Sequence, residues 1–295
     1  MDQNKSFLVA AVLVATIGLC GFMLFAESQT VIKTEVRLVE VYATVFDGKG
    51  THVEGLTRDQ FEIRDNGELR EISMFESVSS EISCAILLDA TGSMQGSLPA
   101  VKNAVFHLID RLRENDRVAV YTFNNSLTCV QDFTADKQAA KRAVLDIRAG
   151  GGTALFDALA EIVRDLGQQN GKKSVILFTD GADNSSFLYP GAALSGARAA
   201  GIPIYTIAQG EALENRGLLE QLKQIASWTG ALTYSAKGTR EIDRICDQIR
   251  LDLRHTYLLA YPAPAGQEAG WRTIRLAVKG RKNLRVRAKE GYLSN

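Results

Sequence analysis

The middle of the chain alternates short, fully apolar runs with segments in which apolar residues recur at helical spacing. The apolar runs predict strands at 84–88, 118–123, 174–179, 202–208 and 231–234. The intervening segments predict helices at 98–112, 135–147, 154–166, 192–200, 218–228 and 240–253. Apolar strands that alternate with helices are typical of a parallel sheet covered on both faces. Because strand crossovers are right-handed, this pattern predicts an α/β fold with a doubly wound, mostly parallel open sheet. The run 127–133 follows the second strand after three residues, which predicts one antiparallel edge strand.

The segments on either side of this middle region show strand patterns instead. Strands are predicted at 36–46, 61–64 and 72–75, with a tight turn at Asp65-Asn66-Gly67 that makes 72–75 the return strand. After residue 255, strands are predicted at 257–261, 271–278 and 284–288. Each group is too small to bury a core alone. We therefore expect the two groups to form a small β-sandwich, with the α/β domain inserted between them.

Charge supports this pairing of the two ends. Residues 27–81 hold six bases and twelve acids, whereas residues 256–295 hold eight bases and two acids. Opposite net charges favour contact between the two groups of strands, although each could equally form a solvated face. The predicted division is 1–29 as a leader, 30–80 as N-terminal strands, 81–254 as the α/β domain and 255–295 as C-terminal strands that pack with 30–80.

The leader contains a run of twenty residues without a charge, from Phe7 to Ala26. A helix of this length is long enough to cross the hydrocarbon layer of a bilayer. Three interpretations stay open: an uncleaved transmembrane anchor, a signal peptide cleaved after Ala26, and a lipidated Cys20. All three place the rest of the chain outside the cytoplasm, either held at the membrane or secreted.

The overall composition excludes several function classes. Acidic and basic residues balance at 34 each, so no global field attracts nucleic acid. The chain has three scattered histidines, which is little material for a zinc site or a His-based catalytic site. The cysteines at 84, 129 and 246 lack the spacing of a disulfide framework and are predicted to be buried free thiols.

Side chains that carry oxygen follow two of the predicted strands. Asp89, Thr91 and Ser93 come directly after the strand 84–88, and Asp180 follows the strand 174–179. Between them, three glycines precede Thr153 at the start of a helix. Ligand sites of doubly wound sheets lie outside the carboxyl ends of the strands, so we expect these five side chains to converge.

Two carboxylates and three hydroxyls are hard oxygen ligands. They suit Mg²⁺, with Mn²⁺ or Ca²⁺ as alternatives, better than zinc. Such a set does not fill an octahedral shell, so water or a carboxylate from another protein can complete it. The sequence therefore predicts a divalent-cation site at Asp89, Thr91, Ser93, Thr153 and Asp180.

These segments resemble a known site. Asp89-x-Thr91-x-Ser93, followed by Thr153 and by Thr179-Asp180-Gly181, is similar to the metal-ion-dependent adhesion site of von Willebrand factor type A domains. The resemblance covers residues 81–253. The flanking segments VRLVEVYATVFD, GLTRDQFEIRDNG and YLLAYPAP resemble the acidobacterial-type VWFA-related proteins. The resemblance implies a cation held by the three hydroxyls, with the two aspartates bound directly or through water, and an adhesion or complex-assembly role without catalysis.

Two other functions fit the sequence less well than adhesion. A structural envelope protein would use the cation to stabilise the fold alone. A metal-dependent hydrolase is disfavoured because no His, Lys or Glu lies within a few residues of Ser93, and because neither a G-x-S-x-G elbow nor a P-loop is present. The predicted partners are therefore a protein that supplies a carboxylate to the cation and, through residues 7–26, a membrane.

Overall fold

The fold was analysed in a computed structural model, which describes residues 37–77, 80–181, 183–264, 269–281 and 283–294, without the side chain of Thr239. The predicted membrane-directing run 7–26 and Cys20 lie outside these residues. Among the helices that are described, none combines the length and the apolar character needed to cross a bilayer.

The centre of the molecule is a six-stranded sheet. Its strands are β5 (Ile82–Asp89), β6 (Arg117–Phe123), β7 (Leu127–Thr134), β8 (Lys172–Thr179), β9 (Ile204–Ala208) and β10 (Thr233–Ser235), and their order across the sheet is β10-β9-β8-β5-β6-β7. All neighbours are parallel except β6 and β7, which form the predicted antiparallel edge. Every residue of β5 and β8 is buried, as expected for strands covered on both faces.

Helices cover both faces of this sheet, which separates two apolar cores. Within the described residues they are α1 (Leu98–Asp110), α2 (Lys137–Leu145), α3 (Leu155–Gly167), α4 (Pro190–Ala200), α5 (Arg216–Trp228) and α6 (Thr239–Arg254). In α3 the buried side chains Leu155, Leu159, Ile162 and Leu166 recur at helical spacing. That spacing buries one face of the helix against the sheet and leaves the other polar. The doubly wound α/β architecture is thus confirmed.

Two four-stranded antiparallel sheets form a platform, a name used below for these eight strands. One sheet has the order β13-β1-β11-β4 and the other β14-β12-β2-β3. The strands are β1 (Leu38–Phe46), β2 (Phe61–Asp65), β3 (Glu68–Arg70), β4 (Met74–Glu76), β11 (Thr256–Pro262), β12 (Gly270–Val278), β13 (Arg285–Ala288) and β14 (Gly291–Ser294). Alternate residues of β1 and β11 share one core with β2 and β12, so strands from both ends of the chain form the sandwich.

Two expectations for individual segments are wrong. The return strand after the tight turn is β3 rather than 72–75, because Asn66 and Gly67 both have positive φ and their two-residue turn pairs Asp65 directly with Glu68. The strand β4 belongs to the opposite sheet, where it pairs with β11. The thiol of Cys129 is exposed rather than buried, since β7 is the edge strand of the central sheet.

The platform packs against the amino end of the central sheet. The backbone N–H of Lys173, at the start of β8, donates to the Tyr42 hydroxyl of β1 at 3.0 Å. Lys172 Nζ donates to the carbonyl oxygen of Thr256 at 2.8 Å. At Gly201, φ is +71°, and a Cβ would lie 2.3 Å from the carbonyl oxygen of Glu40, so a side chain there would separate α4 from β1. The carboxyl end of the sheet lies at the opposite edge of the domain.

Two buried lysines at this junction make stability depend on pH. Burial lowers the pKa of Lys289 to about 7 and that of Lys172 to about 8, against 10.5 for a free lysine. Between these folded pKa values and 10.5, the unfolded chain holds protons that the folded chain has released. The free energy of unfolding should therefore rise above pH 7, with a limit of about 1.4 kcal/mol per pH unit for each lysine.

The measurement is urea unfolding at several pH values from about 6 to 9. Lys289→Met should flatten the rise, because the side chain then carries no proton to release. Lys223→Met is the matched control, since Lys223 is exposed on α5, and it should leave the slope unchanged. A wild-type stability that falls steadily from pH 7 to 9 would contradict this account.

Candidate metal centre

The two predicted aspartates end up at the same edge of the central sheet. Asp89 is the last residue of β5, and Asp180 follows the last residue of β8. Because β5 and β8 are parallel neighbours, their carboxyl ends lie side by side. Asp89, Thr91, Thr153 and Asp180 are all buried, with at most 3% of each residue exposed, whereas Ser93 is exposed. The site therefore reaches solvent on the side of Ser93.

The carboxylate of Asp89 organises the hydroxyls around it. Its Oδ1 accepts from the backbone N–H of Thr91 at 3.0 Å and from Thr91 Oγ1 at 2.6 Å. Its Oδ2 accepts from Thr179 Oγ1 at 2.6 Å. Since Thr91 Oγ1 donates its proton to Asp89, its lone pairs are available to other groups, and Ser93 Oγ lies 3.0 Å away.

The electrostatics of this pair of acids favour a bound cation. Burial raises the pKa of Asp89, the hydroxyl and backbone hydrogen bonds lower it in part, and the negative charge of Asp180 raises it again. Desolvation and a like charge both disfavour the ionised carboxylate. A divalent cation would offset both effects.

Thr153 is placed by contacts with the segments that follow Asp89 and Asp180. The backbone N–H of Gly150 donates to the carbonyl oxygen of Ala90 at 2.7 Å. The backbone N–H of Thr153 donates to Asn184 Oδ1 at 2.9 Å. At Gly152 a Cβ would lie 2.7 Å from Asn125 Oδ1, so the loop has no room for a side chain there. The glycines thus allow this loop to approach the site closely.

The donor set fits a small, hard cation. Two neighbouring ligands of an octahedral Mg²⁺, each at about 2.1 Å, are separated by about 3.0 Å. That is the distance between the hydroxyl oxygens of Thr91 and Ser93. No group of three or more His, Cys, Asp or Glu side chains suited to a metal occurs in the part of the chain that the structure describes. A zinc-type ligand set is therefore not found there, and hydroxyls would carry much of the coordination.

The structure places Asp89, Thr91 and Ser93 in one hydrogen-bonded group and holds Thr153 and Asp180 in adjacent loops of the same edge. It adds Thr179, whose hydroxyl also accepts from the backbone N–H of Gly181 at 3.0 Å and so ties the two strand ends together. The position of Thr179 directly before Asp180 could have identified it as a site residue from the sequence. Asn184 carried no such signal, because its role depends on a contact thirty-one residues away along the chain.

These features define a doubly wound α/β domain with a cluster of oxygen ligands at its carboxyl edge. The chain belongs to the von Willebrand factor type A domain family, whose model matches residues 84–247. This matched range holds all five predicted ligands, while the platform strands lie outside it.

The chain is also similar to individual proteins. An uncharacterised protein of Synechocystis sp. is 30% identical over 162 residues, which are 52% of this chain and 37% of the relative, so the chain matches well under half of the relative's length. A von Willebrand factor type A structure from Catenulispora acidiphila is 16% identical, with a TM-score of 0.53, covering 88% of this chain and 74% of that one. Proximal thread matrix protein 1 from the mussel byssus is 22% identical, with a TM-score of 0.51, covering 63% and 49%. The structural likenesses show the fold.

Proposed function

We propose that this chain is an exported protein-binding module that holds Mg²⁺, or Mn²⁺ or Ca²⁺ in its place, at Asp89, Thr91, Ser93, Thr153 and Asp180. When bound, the cation would supply a positive charge with a free coordination position for a partner's carboxylate. The observation that carries the proposal is that the buried Asp89 carboxylate accepts from the Thr91 hydroxyl, whose oxygen lies 3.0 Å from the hydroxyl oxygen of the exposed Ser93.

An exposed apolar loop next to the site supports a protein partner. Phe187 is 95% and Tyr189 is 82% exposed, and Leu188 lies between them. The same loop begins at Asn184 and Ser185, whose backbone N–H groups both donate to the carbonyl oxygen of Thr153 at 3.0 Å. Exposed apolar groups beside a polar site are typical of protein interfaces.

Hydrogen bonds within the chain also hold this loop. The backbone N–H groups of Phe187 and Leu188 each donate to the Asp157 carboxylate at 2.9 Å. Ser186 Oγ donates to Asp183 Oδ2 at 2.6 Å. A loop that is already fixed loses little conformational entropy on binding, so its apolar side chains can contribute most of their contact energy to affinity.

A binding role without catalysis fits the surroundings of Ser93. Among the described residues, the hydrogen-bond partner found for Ser93 Oγ is the Thr91 hydroxyl, which does not act as a base at neutral pH. Export is supported by the apolar run 7–26, whether it remains as an anchor or is removed as a signal peptide. The packing of the platform on the amino edge of the sheet supports presentation of the site, since it leaves the carboxyl edge uncovered by the platform.

The test is affinity capture from the native envelope with the full chain as bait, in Mg²⁺ and in chelator. Partners should be retained in Mg²⁺ and lost in chelator. The double variant Phe187→Ser with Tyr189→Ser should reduce capture about tenfold or more without changing Mg²⁺ affinity, since it removes two exposed interface anchors. Leu69→Ser is the control, because Leu69 is 59% exposed on the platform, and it should capture normally. An identical set of captured proteins with and without chelator would refute the proposal and leave the cation a structural role.

A further inference from the structure

A second concave site lies at the carboxyl edge, separate from the predicted cation ligands. It is a cavity of about 500 Å³ between the start of α1, the segment after β9 and the start of α6. The polar or backbone-exposing residues that border it include Ser97, Gln209, Gly210, Glu214, Lys237 and Gly238. None of the five predicted cation ligands lines it.

Gln209 brings a buried donor to this cavity. The residue is 3% exposed, and its backbone N–H donates to the carbonyl oxygen of Thr179 at 3.0 Å, which fixes its position. Its side-chain Nε2 has no hydrogen-bond partner within the described protein. A buried N–H group without an acceptor is costly, so an acceptor brought by a ligand would stabilise this side chain.

Two helices direct their N-termini toward the same cavity. Ser97 is the N-cap residue of α1 and Gly238 that of α6, and both border the cavity. Neither helix has a side-chain hydrogen bond to its first turn. The helix dipole makes each N-terminus attractive to an anion, although Pro99 in the first turn of α1 has no N–H to donate.

The two charged side chains that line the cavity, Lys237 and Glu214, are both exposed and balance each other in charge. The carboxylate of Glu241 accepts from the backbone N–H of Lys237 at 2.7 Å, outside the set of lining residues. Leu213, Ala100 and Ile242 supply apolar walls. The interior thus combines donors with alkyl surface.

We propose that this cavity binds a carboxylate group through Gln209 and the N-termini of α1 and α6, independently of the divalent cation. The apolar walls take the alkyl part that carries the carboxylate. A small organic acid and an acidic side chain of a protein share this chemistry, so both are used as probes. Glutarate represents the first source, and the N-acetylated, C-amidated tripeptide Ala-Glu-Ala represents the second.

The test is NMR spectroscopy of the full chain labelled with ¹⁵N-glutamine, in chelator, so that the outcome does not depend on the cation site. The side-chain amide signal of Gln209 is assigned by its loss in Gln209→Leu. At least one of the two probes should shift this signal along a saturating curve, and the probe that saturates at the lower concentration identifies the source. The tripeptide Ala-Gln-Ala, which lacks the carboxylate, should not shift it. The signal of Gln138, exposed on α2, is the internal control.

The affinity of two variants for the carboxylate probe then tests whether Gln209 makes the contact. In Gln209→Leu, followed through the backbone amides of Gly210 and Gly238 with ¹⁵N-glycine, the dissociation constant should rise about tenfold or more, as for a lost hydrogen bond to a charged group. Lys237→Gln, at an exposed position, should change it by threefold or less. The proposal is overturned if neither carboxylate probe gives saturation in the wild-type chain, or if Ala-Gln-Ala binds as well as Ala-Glu-Ala.

Discussion

Asp89→Asn is expected to abolish Mg²⁺ binding while leaving the cation-free protein as stable as the wild type or more stable. The carboxylate is buried beside Asp180, and both conditions disfavour its charge when no cation is bound. Asparagine has the same shape and can still accept the hydrogen bonds that Thr91 donates to Oδ1. The substitution therefore removes the charge that attracts the cation and also the repulsion that the cation would offset.

The measurement is thermal unfolding and calorimetric titration with Mg²⁺ and with chelator. At a Mg²⁺ concentration one hundred times the dissociation constant, the wild type should gain about 2.7 kcal/mol. For a domain of this size, that corresponds to a rise in Tm of roughly 5–10 °C. Asp89→Asn should show no such rise, and Asp146→Asn, at an exposed position on the surface, should behave like the wild type. A clear loss of stability of Asp89→Asn in chelator would show that the carboxylate serves the fold rather than the cation.

The central sheet could be predicted well because its central strands contain apolar runs that are visible in the local sequence. The strand β5 contains the buried apolar run Cys84–Leu88 and β8 the buried run Val175–Phe178, so the positions of both strands follow from composition. The platform was harder to predict. The four-residue strand β14 was not predicted, since its Tyr292 is buried through contacts with distant strands rather than through an alternating pattern. The strand β4 joins a different sheet from β2, and local sequence does not encode which sheet a strand joins.

The candidate site, like the fold, could be predicted from the local sequence only in part. Asp89, Thr91 and Ser93 lie within five residues, so their hydrogen-bonded contact could be predicted from spacing. Gln209 could not be identified in this way, because an ordinary glutamine at a strand end becomes a buried donor only when α1 and α6 enclose it. Local motifs predict those ligands whose placement depends on residues close to them in sequence. Groups that become functional through tertiary enclosure require the fold.

Asp65→Ala is expected to destabilise the protein by about 3–5 kcal/mol, the usual cost of breaking a buried ion pair from one side. Asp65 is fully buried, and its Oδ1 accepts from Arg272 Nε at 2.7 Å. Its Oδ2 accepts from the hydroxyls of Tyr261 at 3.0 Å and Tyr292 at 2.9 Å. The carboxylate thus joins both platform sheets, and its removal leaves a buried guanidinium without its counter-ion.

The double variant Asp65→Leu with Arg272→Met separates the ion pair from the packing of the platform. Replacing both charges by apolar side chains of similar volume removes the unpaired cation, so most of the lost stability should return. Urea unfolding of the wild type, Asp65→Ala, Asp65→Leu, Arg272→Met and the double variant measures this directly, with the exposed Asp59→Ala expected to change stability by less than about 0.5 kcal/mol. If the double variant is as unstable as the sum of its single changes, the two tyrosine hydrogen bonds rather than the ion pair hold the sheets together. Recovery would instead mean that the ion pair adds little net stability to the platform beyond apolar packing.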